Sequence, residues 1–234
     1  MNEPSRDQLR APVIAIDGPS GTGKGTIAEA LARALGWHVL DSGALYRCLG
    51  LAAERAGLDL DDGDAMGALA GRIRIRFDDD RVLLDGDDVS SEIRTAEAGV
   101  RASRVAVHAQ VRVALLTLQR AAVRPPGLIA DGRDMGSKVF PDALLKVYLD
   151  ASPEERANRR YKQLKDKGMD ANLLDLVREL RERDALDSNR AHSPLTVAEG
   201  AVVIDSTRLS IDDVTERVVA EARRVLPDAI TNRG

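Results

Sequence analysis

The sequence predicts an α/β fold, a doubly wound set of helices around a five-stranded parallel sheet. Three observations predict it. The chain opens in the order strand, glycine loop, helix, strand, helix, the alternation that builds a parallel sheet. Three later apolar runs each stop at an aspartate: Leu128–Ala130 at Asp131, Leu144–Leu149 at Asp150 and Val202–Ile204 at Asp205. The chain has 234 residues, 44% of them hydrophobic, enough for a sizeable buried core.

Val13–Asp17 (VIAID) reads as the first strand, and Gly18–Thr26 as the loop after it. Ile27–Leu35 has helical spacing and ends at Gly36; Val39–Leu40 is a second short strand. Asp41–Gly43 turns into a helix, Ala44–Ala56, with Ser42 as its N-cap and Gly57 as its stop. The middle of the chain departs from this pattern. Ile73–Phe77 alternates apolar and charged residues, and polar turns at Asp78–Arg81 and Asp85–Asp88 flank Val82–Leu84, which predicts an antiparallel hairpin. Asp64 to about Pro126 therefore reads as an insertion that includes a helix around Ala98–Ala122. Pro153–Asn189 is charged and helical, and Ile211–Leu226 is the last helix. The expected organisation is a single domain, residues 1–234, with its core at about 12–63, 127–151 and 191–227, an insertion at about 64–126, and a short helical lid at about 152–170.

Composition excludes several classes. Charged residues are 31% and the formal net charge is −4, which argues against a general nucleic-acid binder. The single cysteine, Cys48, allows no intrachain disulfide, fits a reducing compartment, and reads as a small buried apolar residue. No apolar run approaches the ~20 residues that span a bilayer. The first residues lack the apolar stretch of a signal peptide, so no membrane partner and a cytoplasmic location are expected. His38, His108 and His192 lack metal-ligand spacing.

The strongest local signal is Gly18-Pro19-Ser20-Gly21-Thr22-Gly23-Lys24-Gly25-Thr26. Its glycines let the backbone curl so that successive N–H groups face phosphate oxygens, and the following helix adds its positive end. Such a P-loop implies ATP, with Lys24 reaching the β- and γ-phosphates. The general pattern puts Ser or Thr directly after the lysine; here Gly25 stands there and Thr26 follows. The Lys-Gly-Thr variant resembles nucleoside monophosphate kinases, and Thr26 keeps a hydroxyl for Mg²⁺ and phosphate, directly or through water.

Other segments offer arginines suited to a second anion. Arg47 lies one turn into the helix after Ser42; Asp131-Gly132-Arg133-Asp134 follows a strand end, where α/β proteins bind ligands; Arg183, Asp187 and Arg190 share one helix face. Ser152, Pro153 and Glu155 make a capping-box start for a helix that carries Arg156, Arg159 and Arg160.

Gly18–Thr26, Leu40–Arg47, the run Glu92-Ile93-Arg94-Thr95, Ala130–Gly136 and Arg183–Arg190 together resemble bacterial cytidylate kinases, from about Val13 to Val225. That family carries a hairpin-bearing insertion in its monophosphate-binding region. The resemblance implies transfer of the ATP γ-phosphoryl group to CMP, and to dCMP, with Mg²⁺. Arg47, Arg133 and Arg190 would hold the CMP phosphate. Ser103, Arg112 and Asp134 would read the cytosine edge, and Asp187 with Arg183 would meet the ribose. Ser42 and Tyr46 would shape the pocket. Arg156 and Arg160 would close over the transferring group, and Asp131 is the carboxylate expected near Mg²⁺. The partners implied are small nucleotides alone, and the chain is expected to act as a monomer.

A phosphate acceptor is already ionised at neutral pH, its second pKa lying near ~6, so no general base is required. A kinase for a sugar or shikimate-like hydroxyl would need one, and Asp17 or Asp41 could be proposed for it. An ATP-binding switch would need no acceptor arginines.

Overall fold

The computed structural model describes residues 11–78, 81–166, 168–188 and 195–226. The chain divides into two compact units. One comprises the described residues up to Leu40 and from Ala122 onward; the other is Asp41–Ala121.

The first unit holds a five-stranded sheet of β1 (Val13–Asp17), β2 (His38–Asp41), β6 (Leu128–Gly132), β7 (Leu145–Asp150) and β8 (Val202–Asp205), ordered β2-β6-β1-β7-β8. β1 pairs in parallel with β6 and β7, and β7 with β8. Every residue of β1 is buried, as a central parallel strand covered on both faces demands. β6 lies between β1 and β2, so the first βαβ crossover skips a strand position. The register pairs Asp17 with Gly132, which sets the loops leaving β1 and β6 side by side.

α1 (Lys24–Leu35) and α8 (Ile211–Val225) pack together on one buried cluster that includes Ile14, Ile16, Ile27, Leu31, Val147, Ile204 and Val218. α8 opens with a complete capping box: Ser210 Oγ accepts from Asp213 N, and the Asp213 carboxylate accepts from Ser210 N. α6 (Pro153–Asp166) and α7 (Leu173–Ser188) form a separate pair around Ala157, Leu176 and Leu180. Among the described residues no helix is long and apolar enough to cross a membrane.

The second unit packs α2 (Ser42–Arg55) on α4 (Ala96–Val105), and α3 (Gly63–Ala70) on α5 (Ala109–Ala121). The expected hairpin is present as a small antiparallel sheet, β3 (Ile75–Asp78), β4 (Arg81–Leu84) and β5 (Asp87–Asp88). The single helix expected around 98–122 is two helices. Neither Gly nor Pro breaks it. Val107 N and His108 N instead bond three residues back, to Arg104 O and Val105 O, and His108 Nε2 donates to Leu60 O at 2.8 Å. α5 leaves the line of α4 there and lies on α3, where Gln110 Nε2 also donates to Asp64 Oδ1 at 3.0 Å. Cys48 is buried and free, its thiol pushed up to about 12, chiefly by burial.

Candidate active site

The loop between β1 and α1 is shaped by two glycines with special roles. Gly18 passes so close to β7 that a Cβ there would stand 2.0 Å from Leu149 O. Gly23 caps α1 with φ 95°, a left-handed conformation, and supplies no side-chain acceptor, so the first N–H groups of α1 are left for a ligand. The helix begins at Lys24, three residues earlier than its apolar spacing suggests, because the loop glycines feed straight into its first turn. Lys24 is 6% exposed and donates from Nζ to Pro19 O at 2.7 Å, with Thr22 Oγ1 on the same carbonyl at 3.1 Å. Burial, then the positive charge of Arg133, push the Lys24 ammonium down to about 7; Asp131 and Asp17 oppose them.

The segment after β6 contributes Asp131, Arg133 and Asp134. Asp131 is half-buried, and its Oδ2 lies 3.5 Å from where a Cβ on Gly25 would project; Thr26, the next residue, is exposed. The Asp131 carboxylate and the Thr26 hydroxyl are hard oxygen donors near the loop. Among the described residues no group of three or more His, Cys, Asp or Glu gathers as a metal cage. Mg²⁺ suits such a sparse set, since it keeps its waters and takes much of its shell from substrate phosphates. Arg133 donates from Nε to Asp187 Oδ2 at 3.0 Å, and Asp187 is 1% exposed on α7. Asp134 is buried at the entrance of a single wide turn, Met135–Val139, closed by Val139 N to Asp134 O and Phe140 N to Met135 O. Asp17, at the end of β1, accepts from Met135 N at 2.7 Å and Gly136 N at 2.8 Å. Neither that wide turn nor the Asp17 bonds are expected from local sequence.

On α6, Arg156 is fully buried. It donates to Ala151 O, to Ser20 O of the glycine loop and, through both terminal nitrogens, to the Asp184 carboxylate. Arg159, which the sequence left without a role, donates to Thr22 O at 3.1 Å and to Ser206 O at 2.6 Å. These two arginines, three apart and hence on one side of α6, brace the loop from behind. Their spacing is a signal the sequence carries; that their targets are loop carbonyls is not. Arg160 is half-buried. The expected capping box is only half present. Ser152 Oγ accepts from Glu155 N, but Glu155 pairs with Arg159, and Ser152 N donates to Thr207 Oγ1 instead.

In the second unit Asp41, not Ser42, caps α2: its Oδ1 accepts from Ala44 N at 3.1 Å. β2 runs directly into the helix, so Ser42 is the first helical residue, and it is buried. Tyr46 is buried, with the Arg112 guanidinium 5.7 Å from its ring centre. Arg47 donates to Ile93 O at 2.7 Å, inside the short helical turn Glu92–Arg94. Ser103 is buried on α4. Arg190 and His192 lie outside the described residues. His38 and His108 each bond a backbone carbonyl, Pro125 O and Leu60 O. An apolar groove of about 530 Å³ along α3 and α5 contains none of the predicted site residues.

A glycine loop leaving the central strand of a parallel sheet ordered β2-β6-β1-β7-β8, with a buried lysine at its end, defines a P-loop kinase. The family model described as cytidylate kinase matches residues 14–224. A cytidylate kinase of Aeromonas salmonicida is 55% identical, the match covering 94% of this chain and 97% of that one. One of Paraburkholderia phymatum is 51% identical over 97% of this chain and all (100%) of that one. Among solved structures, a shikimate kinase of Acinetobacter baumannii in complex with shikimate aligns with TM-score 0.43 and 20% identity, over 94% of this chain and 98% of that one. The chain belongs to the cytidylate kinase family, the one its motifs resemble.

Proposed function

We propose that this chain transfers the γ-phosphoryl group of ATP to CMP, and to dCMP, giving ADP with CDP or dCDP for pyrimidine nucleotide metabolism. In this reading it is a cytoplasmic monomer that needs Mg²⁺. Full-length likeness to cytidylate kinases supports the reaction. The observation that carries the mechanism is the placement of buried Lys24 beside the Asp131–Asp134 segment, with the charges of Arg133 and Asp131 acting on it.

The transfer is a problem of bringing two anions together, so alignment and charge neutralisation matter more than covalent chemistry. Gly18–Thr26 would hold the ATP phosphates through backbone N–H groups and Lys24. Asp131 and Thr26 would meet Mg²⁺, directly or through water; when bound, the ion neutralises phosphate oxygens. Arg160 would approach the transferring group from the lid. Arg156 would act by holding Ser20 and thereby the loop. Toward CMP, the proposed roles are phosphate binding by Arg47, Arg133 and Arg190, base reading by Ser103, Arg112 and Asp134, and ribose binding by Asp187 with Arg183. Ser42 and Tyr46 would line the pocket.

No general base is needed, and the two carboxylates a hydroxyl kinase could use are engaged elsewhere: Asp17 on two backbone amides and Asp41 on the α2 cap. A coupled ADP-release assay over CMP, dCMP, UMP, AMP, GMP, shikimate and a set of sugars tests the reading. CMP should show the highest kcat/KM, with dCMP next. Preference for a hydroxyl acceptor would overturn it.

A further inference from the structure

Asp17 is a buried carboxylate with an unusual task. It is 3% exposed, at the last position of the central strand, directly before the glycine loop. Both of its oxygens accept from consecutive backbone amides, Met135 N and Gly136 N, 118 and 119 residues away. Those amides open the wide turn that follows Arg133 and Asp134, and Asp134 O accepts from Lys138 N and Val139 N on the far side of the same peptide. The peptide joining Asp134 to Met135 is therefore held from both ends. Asp134 itself has φ −145° and ψ 26°, outside the regular helix and strand regions.

The carboxylate is expensive to keep. Burial, only partly offset by the two amides, pushes its pKa up to about 6. Lys24 from α1 and Asp134 from the turn face it, and Tyr148 stands opposite it on β7. The glycine loop does not depend on it alone, since Ser20 O and Thr22 O are held from behind by Arg156 and Arg159. Beyond the β1–β6 ladder, which ends at the Asp17–Gly132 pair, the Asp17 carboxylate ties the root of that loop to the turn that follows Arg133 and Asp134.

We propose that Asp17 is a positioning residue for phosphoryl transfer. Its carboxylate sets the spacing between the loop that carries Lys24 and the segment that carries Arg133 and Asp134. It sets turnover; ATP affinity and folding do not rest on it. This inference rests on the CMP-kinase reading above.

Asp17→Asn is the direct test. The amide keeps one acceptor but turns an NH₂ toward the second backbone N–H, which releases one end of the clamp. Misplacement of reacting groups by 1 Å can cost ~10²-fold in rate, so kcat for CMP should fall at least about tenfold. ATP binding, followed calorimetrically without acceptor at about pH 6, where Lys24 stays largely charged, should stay within about threefold of the parent, since Arg156 and Arg159 still hold the loop. The melting temperature should fall only modestly, because removing a buried charge offsets part of the cost of the one backbone N–H left unpaired. A variant that melts lower but turns over like the parent would show a merely structural role and overturn the proposal. If Asp17→Asn does not fold, Asp17→Glu decides, measured well below its own melting temperature. It keeps the charge but moves the clamp by a methylene, and parental kcat there also overturns the proposal. The parent is run alongside. If the parent does not phosphorylate CMP, the functional reading fails and this inference with it; if it does and Asp17→Asn keeps its kcat, only this inference fails.

Discussion

Replacing Arg156 by lysine should cost stability as well as rate. The guanidinium is 2% exposed and has four bonds to replace: Nε to Ala151 O at 2.9 Å, Nη1 to Ser20 O at 3.0 Å and to Asp184 Oδ1 at 3.0 Å, and Nη2 to Asp184 Oδ2. A lysine ammonium has three donors on one nitrogen and cannot span Ala151, the loop and the two carboxylate oxygens together. Removing one partner of a buried ion pair costs ~3–5 kcal/mol, but Asp184 keeps 24% of its side-chain surface, so water relieves part of that and we take about 2–3 kcal/mol. For a chain of this length each kcal/mol is worth ~2–4 °C, so the melting temperature should drop by about 4–12 °C. Thermal unfolding by circular dichroism at neutral pH measures it. Asp184→Asn should lower it too, and combined with Arg156→Lys should be far from additive, since both changes break the same pair. Arg160→Ala is the comparator. It should melt like the parent and lose ~10²-fold in kcat if Arg160 donates to charge that develops during transfer. An Arg156→Lys protein that melts with the parent and loses only kcat would falsify the bracing role and return Arg156 to the transferring phosphoryl group.

Two further outcomes follow from the site. Burial and Arg133 bring the Lys24 ammonium down to about 7, so part of the population is uncharged above neutral pH. A polyphosphate raises that pKa again, so nucleotide binding at about pH 8 should take up close to one proton, and at about pH 6 almost none. Affinity should weaken as pH rises through about 7. Calorimetry in two buffers of different ionisation enthalpy reads the uptake; none at the higher pH refutes the charge change. Lys24→Ala should abolish the uptake and lower turnover by orders of magnitude while remaining folded. Asp134→Ala should lose about ten- to a hundredfold in kcat/KM for CMP and narrow the gap to UMP, because an ionised carboxylate accepts from the cytosine amino group and repels the uracil carbonyl, a bond worth ~1.5–3 kcal/mol. An unchanged CMP/UMP ratio would leave Asp134 only a supporting role for Arg133.

What could be read from the chain alone is what neighbouring residues impose on one another. The glycine loop is legible because each glycine answers a need of its own backbone, and because strand, loop and helix adjoin in sequence. The strand-end aspartates, the hairpin and the final helix are legible for the same reason: apolar period and turn residues are local quantities. The α4–α5 break was not, since Ala106, Val107 and His108 carry no helix-breaking signal and the bonds made there, His108 to Leu60 O and Gln110 to Asp64, are tertiary. Nor was the N-cap of α2, where Asp41 and Ser42 are both good caps and the length of β2 decides between them. The amino-acid sequence by itself determined the fold class, the phosphate loop and the family. Only the tertiary structure decided which partner each charge takes: Arg156 takes Asp184 and Ser20, Arg159 takes Thr22, Arg133 takes Asp187, and Asp17 takes the amides of Met135 and Gly136. The reason is physical. A buried charge must find a partner, and which partner stands within hydrogen-bond reach depends on strand order and helix packing, which bring together residues far apart along the chain.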